Sequence, residues 1–185
     1  DHWLEHRKFP GCYGIRSSQE TSWGNPTVTQ ELIDAVKAKG FNTIRIPTTW
    51  YPNVTTTTDE NGKPVYTISE QWLQRVKEVV DYAYKQDMYV ILNLHHEEWI
   101  NRSDFPTAYE EMSERLKQMW LQIAAYFKDY DQHLIFEGMN EPRQTGASYE
   151  WQGNAECYEV VNKLDNDFVE TVRSVESPYQ NTPFY

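Results

Sequence analysis

The sequence predicts an α/β fold built on a parallel sheet, and two observations carry that prediction. Three short runs, Asn42-Thr43-Ile44-Arg45-Ile46-Pro47, Met88-Tyr89-Val90-Ile91-Leu92-Asn93-Leu94-His95 and His133-Leu134-Ile135-Phe136-Glu137-Gly138-Met139, are continuously apolar rather than alternating, the pattern of strands covered on both faces. Stretches with helical periodicity separate them, and this alternation gives parallel strands joined by right-handed crossovers. Two architectures satisfy that order, a doubly wound open sheet and a (β/α)8 barrel. No glycine-rich phosphate loop follows any run, which weakens the nucleotide-binding version.

Each element has its own local reason. Residues 29–39 place Leu32, Ile33 and Val36 on one helical face and stop at Gly40. Residues 69–86 follow a candidate N-cap, Ser69, with Trp72, Leu73, Val76, Val79, Val80 and Ala83 at helical spacing. Residues 109–126 carry the stripe Met112, Leu116, Met119, Trp120, Ile123 and Ala124, and a last helical stretch covers about residues 155–173.

Composition narrows the class of partner. At 185 residues the chain can bury a sizeable core. A net charge of −11 and a pI near 4.9 argue against nucleic acid and anionic membranes and suit an uncharged substrate. No run is long and apolar enough to span a bilayer. Cys12 and Cys157 have neither metal-ligand nor redox spacing, and form either one long-range disulfide or two free thiols. The sequons Asn53-Val54-Thr55 and Asn101-Arg102-Ser103 are compatible with a secreted protein. Aromatics reach 15%, with 7 Trp; core packing accounts for most of them, and stacking platforms for sugars or other flat apolar faces are the alternative for some.

Both candidate architectures place an active site at the carboxyl ends of the strands. All three ends are polar. The first run carries Arg45 and leads into Thr48, Thr49 and Trp50; the second ends His95-His96-Glu97-Glu98-Trp99; the third ends Asn140-Glu141-Pro142-Arg143. Glu141 is the first catalytic candidate. A carboxylate where a buried strand ends has apolar walls on one side and open space on the other, a setting in which a carboxylic acid can donate a proton. Asn140 offers an amide to a polar ligand, and Pro142 stops the strand. His95 and His96 are candidates for hydrogen bonds to substrate. A metal is disfavoured, because neighbours on a strand point to opposite faces and no second histidine cluster exists. Arg45, inside an apolar run, needs a carboxylate partner such as Glu137, either as a structural ion pair or to hold a catalytic carboxylate ionised. Glu97 and Glu98 read as solvated loop carboxylates. Trp50 and Trp99, directly after strand ends, and Trp23, in the turn-rich segment 20–26, are candidate sugar platforms with loop packing as the alternative.

Together, Gly40-Phe41-Asn42-Thr43-Ile44-Arg45-Ile46-Pro47, Tyr89-Val90-Ile91-Leu92-Asn93-Leu94-His95-His96 and Ile135-Phe136-Glu137-Gly138-Met139-Asn140-Glu141-Pro142 resemble glycoside hydrolase family 5, and within it the endo-β-1,4-glucanases, over about residues 20–173. The resemblance implies a (β/α)8 barrel whose second, third and fourth strands are the three runs. It implies that residues 1–185 are a partial catalytic domain, about the first four βα units, or half a barrel. By position it implies Glu141 as general acid/base and Asn140 on the 2-hydroxyl of the sugar being cleaved. Arg45 would support the nucleophile, and His95 and His96 would line the cleft. It implies no cofactor, a β-glucan substrate and secretion. Retaining glycosidases of this kind hold two carboxyls about 5–5.5 Å apart.

The nucleophile of the resembled family is a Glu ending the seventh strand, and this chain has no such strand. Glu170 falls in a helical pattern and Glu176 follows no apolar run. A full barrel needs about 250 residues. The expectation is therefore an amino-terminal half without the nucleophile, whose partner is the carboxy-terminal half. The alternatives are a half-barrel that binds β-glucan without cleaving it, or one that self-associates through its open edge. Cellulose, mannan, xyloglucan and mixed-linkage glucan all remain open as substrates.

Overall fold

The structure, a computed structural model, describes residues 20–178. His2, His6 and Cys12 lie outside them. The described chain runs α1 (Gln30–Ala38), β1 (Thr43–Ile46), β2 (Val54–Thr58), β3 (Pro64–Ile68), α2 (Glu70–Tyr84), β4 (Tyr89–Asn93), α3 (Tyr109–Tyr126), β5 (Leu134–Glu137) and α4 (Ala155–Ser174), with short 3-10 turns at Tyr51–Asn53 and Phe105–Thr107. The helix boundaries follow the sequence periodicity closely. Thr29 caps α1 by accepting from the Leu32 N–H, and Asn154 caps α4 by accepting from the Cys157 N–H. Ser69 holds the N-cap position of α2, but its side chain makes no capping bond. Leu32 is exposed, so only Ile33 of the expected α1 face is fully buried.

β1, β4 and β5 form a parallel sheet in the order β1-β4-β5. Residues in register share a face, so Ile44, Ile46, Val90, Leu92, Leu134 and Phe136 point to one side. The helices pack there, and Val90 and Leu92 are fully buried. The expectation of strands buried on both faces is corrected by the other side. Arg45, Ile91, Ile135 and Glu137 share it with the fully buried Asn93 and are themselves only half-buried or exposed.

A hairpin that the apolar runs did not announce joins β1 to α2. β2 and β3 are antiparallel, Gly62 adopts φ 78° in the turn, and Asp59 Oδ1 accepts the N–H groups of Asn61 and Lys63. Two glutamines of α3 occupy the free edge of β3. Gln118 accepts from the Tyr66 N–H, and Gln122 accepts from the Ile68 N–H and donates to the Tyr66 carbonyl.

Two packing contacts aim the strand ends. Trp120, fully buried, donates its indole N–H to the Gly138 carbonyl at 3.0 Å just beyond β5, while the Phe168 ring lies where a Cβ on Gly138 would stand, 2.8 Å away. Only glycine fits, and the exit of β5 toward Asn140 and Glu141 is set by these two rings. Arg75 of α2, 5% exposed, grips both oxygens of Glu20 at 2.7 and 3.0 Å and the Val28 carbonyl at 2.8 Å. That buried fork holds the segment carrying Trp23 against the helix.

Candidate active site

Strand parity brings the polar groups together. Arg45, Asn93 and Glu137 lie on the same face of β1, β4 and β5, near their carboxyl ends, and Asn93 is directly in register with Glu137. The Arg45 guanidinium forks onto Glu137, with Nε donating to Oε2 at 2.8 Å and Nη2 donating to Oε1. Nη2 also donates to Asn140 Oδ1 at 2.9 Å. Asn93 donates to Glu137 Oε1 at 3.0 Å. The Arg45 hydrogen bonds hold the Glu137 carboxyl below the usual carboxylate range, and the Asn93 bond acts the same way. The ion pair is therefore found, but Arg45 is not the buried residue its apolar run suggested: its side chain is 37% exposed on the uncovered face.

The same amide orients His95. Asn93 Oδ1 accepts the Thr48 N–H at 3.1 Å, so the amide nitrogen is the group 3.2 Å from His95 Nδ1. A nitrogen that can only donate makes Nδ1 an acceptor and leaves the proton of neutral His95 on Nε2. Burial, then the neighbouring His96 and Arg45, lower the His95 pKa and favour that neutral form. His95 and His96 follow β4 rather than lying within it, so the opposite-face rule does not separate them; their rings are 4.4 Å apart. Trp23 joins them, its ring 5.4 Å from His96 and 81% exposed.

Trp50 and Trp99 are corrected from sugar platforms to packing residues. Trp50 is fully buried and donates its indole N–H to the Asn93 carbonyl at 2.8 Å. Trp99 is 9% exposed, donates to Glu97 Oε2 at 2.6 Å and carries the Arg115 guanidinium 5.0 Å from its ring. An indole with no open face cannot receive a pyranose. Glu97 is corrected as well: at 1% exposure it is not solvated but accepts the N–H groups of Trp50 and Tyr51 on Oε1, at 2.6 and 3.3 Å. Burial pushes its carboxyl up to about 7, against the pull of those donors.

Glu141 stands just past β5 in a left-handed conformation, φ 49°, and its side chain is 59% exposed. It is therefore mostly in the open rather than enclosed. What lies beside it is Arg143, whose Nη1 donates to the Glu141 carbonyl at 3.1 Å and comes within 3.6 Å of Oε2. Asn93, Glu97, Arg143 and Glu137's role as hub were not singled out from the sequence. A polar residue inside an apolar run was the available signal for Asn93, and Glu97 had none. Among the described residues no group of three or more His, Cys, Asp or Glu is disposed to hold a metal ion. Cys157 is buried and, among the described residues, forms no disulfide. Glu170 lies on α4, where Asn166 donates to it.

Comparison with known proteins places this geometry. A family model described as cellulase (glycosyl hydrolase family 5) matches residues 8–181. Endoglucanase A of Clostridium longisporum is 49% identical over 160 residues, 84% of this chain and 29% of its own length. A GH5-4 broad specificity endoglucanase from Ruminococcus flavefaciens superposes with a TM-score of 0.80 at 52% identity, covering 92% of this chain and 48% of that one. A GH5 xyloglucan-specific endo-β-1,4-glucanase from a metagenomic library, in complex with cellotriose, gives 0.79 at 43% identity over 91% of this chain and 48% of that one. The chain thus spans under a third of that curated relative and about half of the two solved structures. Its sheet and helices are those of half a (β/α)8 barrel.

Proposed function

The chain belongs to glycosyl hydrolase family 5, the cellulase family, and from that premise we propose that its strand ends form part of a retaining endo-β-1,4-glucanase site with Glu141 as general acid/base. The observation that supports the reading best is the bond from Arg45 Nη2 to Asn140 Oδ1. With its oxygen occupied, Asn140 keeps its amide N–H groups, next in sequence to Glu141, to donate to a sugar hydroxyl. His95 Nε2–H offers a second donor from just beyond β4, and Trp23 against His96 offers an apolar face for a ring.

In this reading Glu141 gives its proton to the glycosidic oxygen as a carboxylate nucleophile attacks the anomeric carbon. It then takes a proton from the water that releases the glycosyl group. Glu137, held by Arg45 and Asn93, orients Asn140 and His95 rather than reacting. In this reading the nucleophile comes from outside these 185 residues, since among the described residues the other strand-end carboxylates are engaged: Glu97 is buried, Glu137 is clamped by Arg45 and Asn93, and Glu98 is hydrogen-bonded to Tyr51. A β-1,4-glucan is the substrate, with xyloglucan, mixed-linkage glucan and mannan as alternatives. A polymer is met outside the cell, which fits secretion.

Assaying the 185-residue chain on carboxymethylcellulose tests the division of labour. We expect no turnover above background; robust turnover abolished by Glu141→Gln would sink the claim that the nucleophile lies elsewhere. A second reading is self-association through the uncovered face, favoured by half-exposed Ile91 and Ile135 beside Arg45. Light scattering showing a monomer at high concentration counts against it.

A further inference from the structure

Trp23 is 81% exposed, so packing of its own ring does little to fix it. Where the indole stands, 5.4 Å from the His96 ring, is set by the backbone that carries it. That backbone is a closed loop, residues 20–28. Gly24, at φ 78°, donates its N–H to the Thr21 carbonyl at 2.9 Å, a turn with Ser22 and Trp23 at its centre. Glu20, at the start of the loop, accepts the Val28 N–H from its end on Oε1 at 2.9 Å, and Asn25 Nδ2 donates to the Glu20 carbonyl at 2.7 Å.

One guanidinium on α2 holds both ends of this loop. Arg75, 5% exposed, donates through Nε and Nη2 to the two Glu20 oxygens, and through Nη2 also to the Val28 carbonyl. Nη1 goes to Glu78 Oε2 at 2.8 Å and to the Tyr82 hydroxyl at 3.3 Å. Every N–H of the fork therefore has an acceptor, and turning the planar group would break several bonds at once. The helix that carries Arg75 packs against β4, the strand that leads to His95 and His96. The loop and the histidines thus share one frame of reference.

We propose that Glu20 and Arg75 are positioning residues for glucan binding: by pinning both ends of the loop 20–28 they fix the Trp23 indole beside His96. Arg75 is buried, so it acts through the loop rather than on the sugar. A face held in place before the ligand arrives loses less entropy on binding than one that must be ordered. The inference rests on the reading of Trp23 as a face for a sugar ring.

Calorimetric titration of the 185-residue chain with cellohexaose tests it through a double-mutant cycle. The unsubstituted chain should bind, and Trp23→Ala should weaken binding about tenfold. Glu20→Gln keeps the side chain's shape but sets an amide nitrogen against a donor of the Arg75 fork, and should weaken binding about threefold to tenfold. Added to Trp23→Ala, it should weaken binding no further. Arg75→Lys, which keeps the charge and loses the fork, should behave as Glu20→Gln does, and it answers the question if that variant does not fold. Unchanged affinity in these clamp variants overturns the positioning role. So does a loss of the same size with and without Trp23, because a purely structural residue acts irrespective of the indole. Unchanged affinity in Trp23→Ala overturns the sugar face and its clamp while leaving the glucan site standing. No binding by the unsubstituted chain at millimolar cellohexaose overturns the clamp and the glucan reading together.

Discussion

The Glu97 carboxylate accepts the main-chain N–H of Trp50 at 2.6 Å, and the Trp50 indole in turn donates to the Asn93 carbonyl at 2.8 Å. The loop after β4 thus reaches across to hold the loop after β1, and the held Trp50 in turn braces the carboxyl end of β4. Asn93 is the amide that orients Glu137 and His95. A buried carboxylate outside the proposed site is therefore linked, through one indole, to residues that the proposed site uses.

Glu97 gives the chain a pH dependence of unusual sign. Its folded value near 7 is above the ordinary 4.5, so between pH 4.5 and 7 the folded state binds the extra proton. Stability then falls as pH rises through that window. Urea unfolding at pH 5 and pH 7 should show the lower midpoint at pH 7, and Glu97→Gln should flatten the difference. A midpoint that rises between those values in the unsubstituted chain would contradict the assignment.

Arg45→Lys separates orientation from stability. Lysine cannot fork onto Glu137 and also reach Asn140, so the Asn140 amide is freed to rotate. Cellohexaose affinity should drop about threefold to tenfold. Thermal stability should change little, because the ion pair is 37% and 28% exposed and such pairs contribute about 0–1 kcal/mol. Unchanged affinity with a large loss of stability would reverse this ordering of roles.

Gly138→Ala should destabilise the chain by about 1–3 kcal/mol through overpacking against Phe168. Adding Phe168→Leu, which makes room for the new methyl, should recover part of that loss in a double-mutant cycle. Additive losses would mean that the contact between the two positions does not set the strand exit.

Much of the frame was readable along the chain. The three parallel strands, the four described helices and the pairing of Arg45 with Glu137 all follow from periodicity and from the need of an internal arginine for a carboxylate. The β2–β3 hairpin was not, although Asp59-Glu60-Asn61-Gly62 between Thr-rich and Val/Tyr/Ile segments is a turn signal. Its strands are too polar to stand out as apolar runs, and their edge is satisfied by glutamines from a distant helix.

Which tryptophan faces solvent could not be read locally. Trp50 and Trp99 follow strand ends directly, Trp151 lies between β5 and α4, and Trp23 lies before α1, yet Trp50 is sealed while Trp23 and Trp151 are open. Glu97 and Glu98 are chemically identical neighbours, and only one is buried. Residue types and their spacing along β1, β4 and β5 were sufficient for the kind of fold and the edge where chemistry gathers, because a strand's faces and ends are local properties. Exposure and hydrogen-bond partnership are not local. They are set between residues such as Trp50 and Glu97, 47 positions apart, and Arg45 and Glu137, 92 apart, and only the folded chain brings those groups within reach.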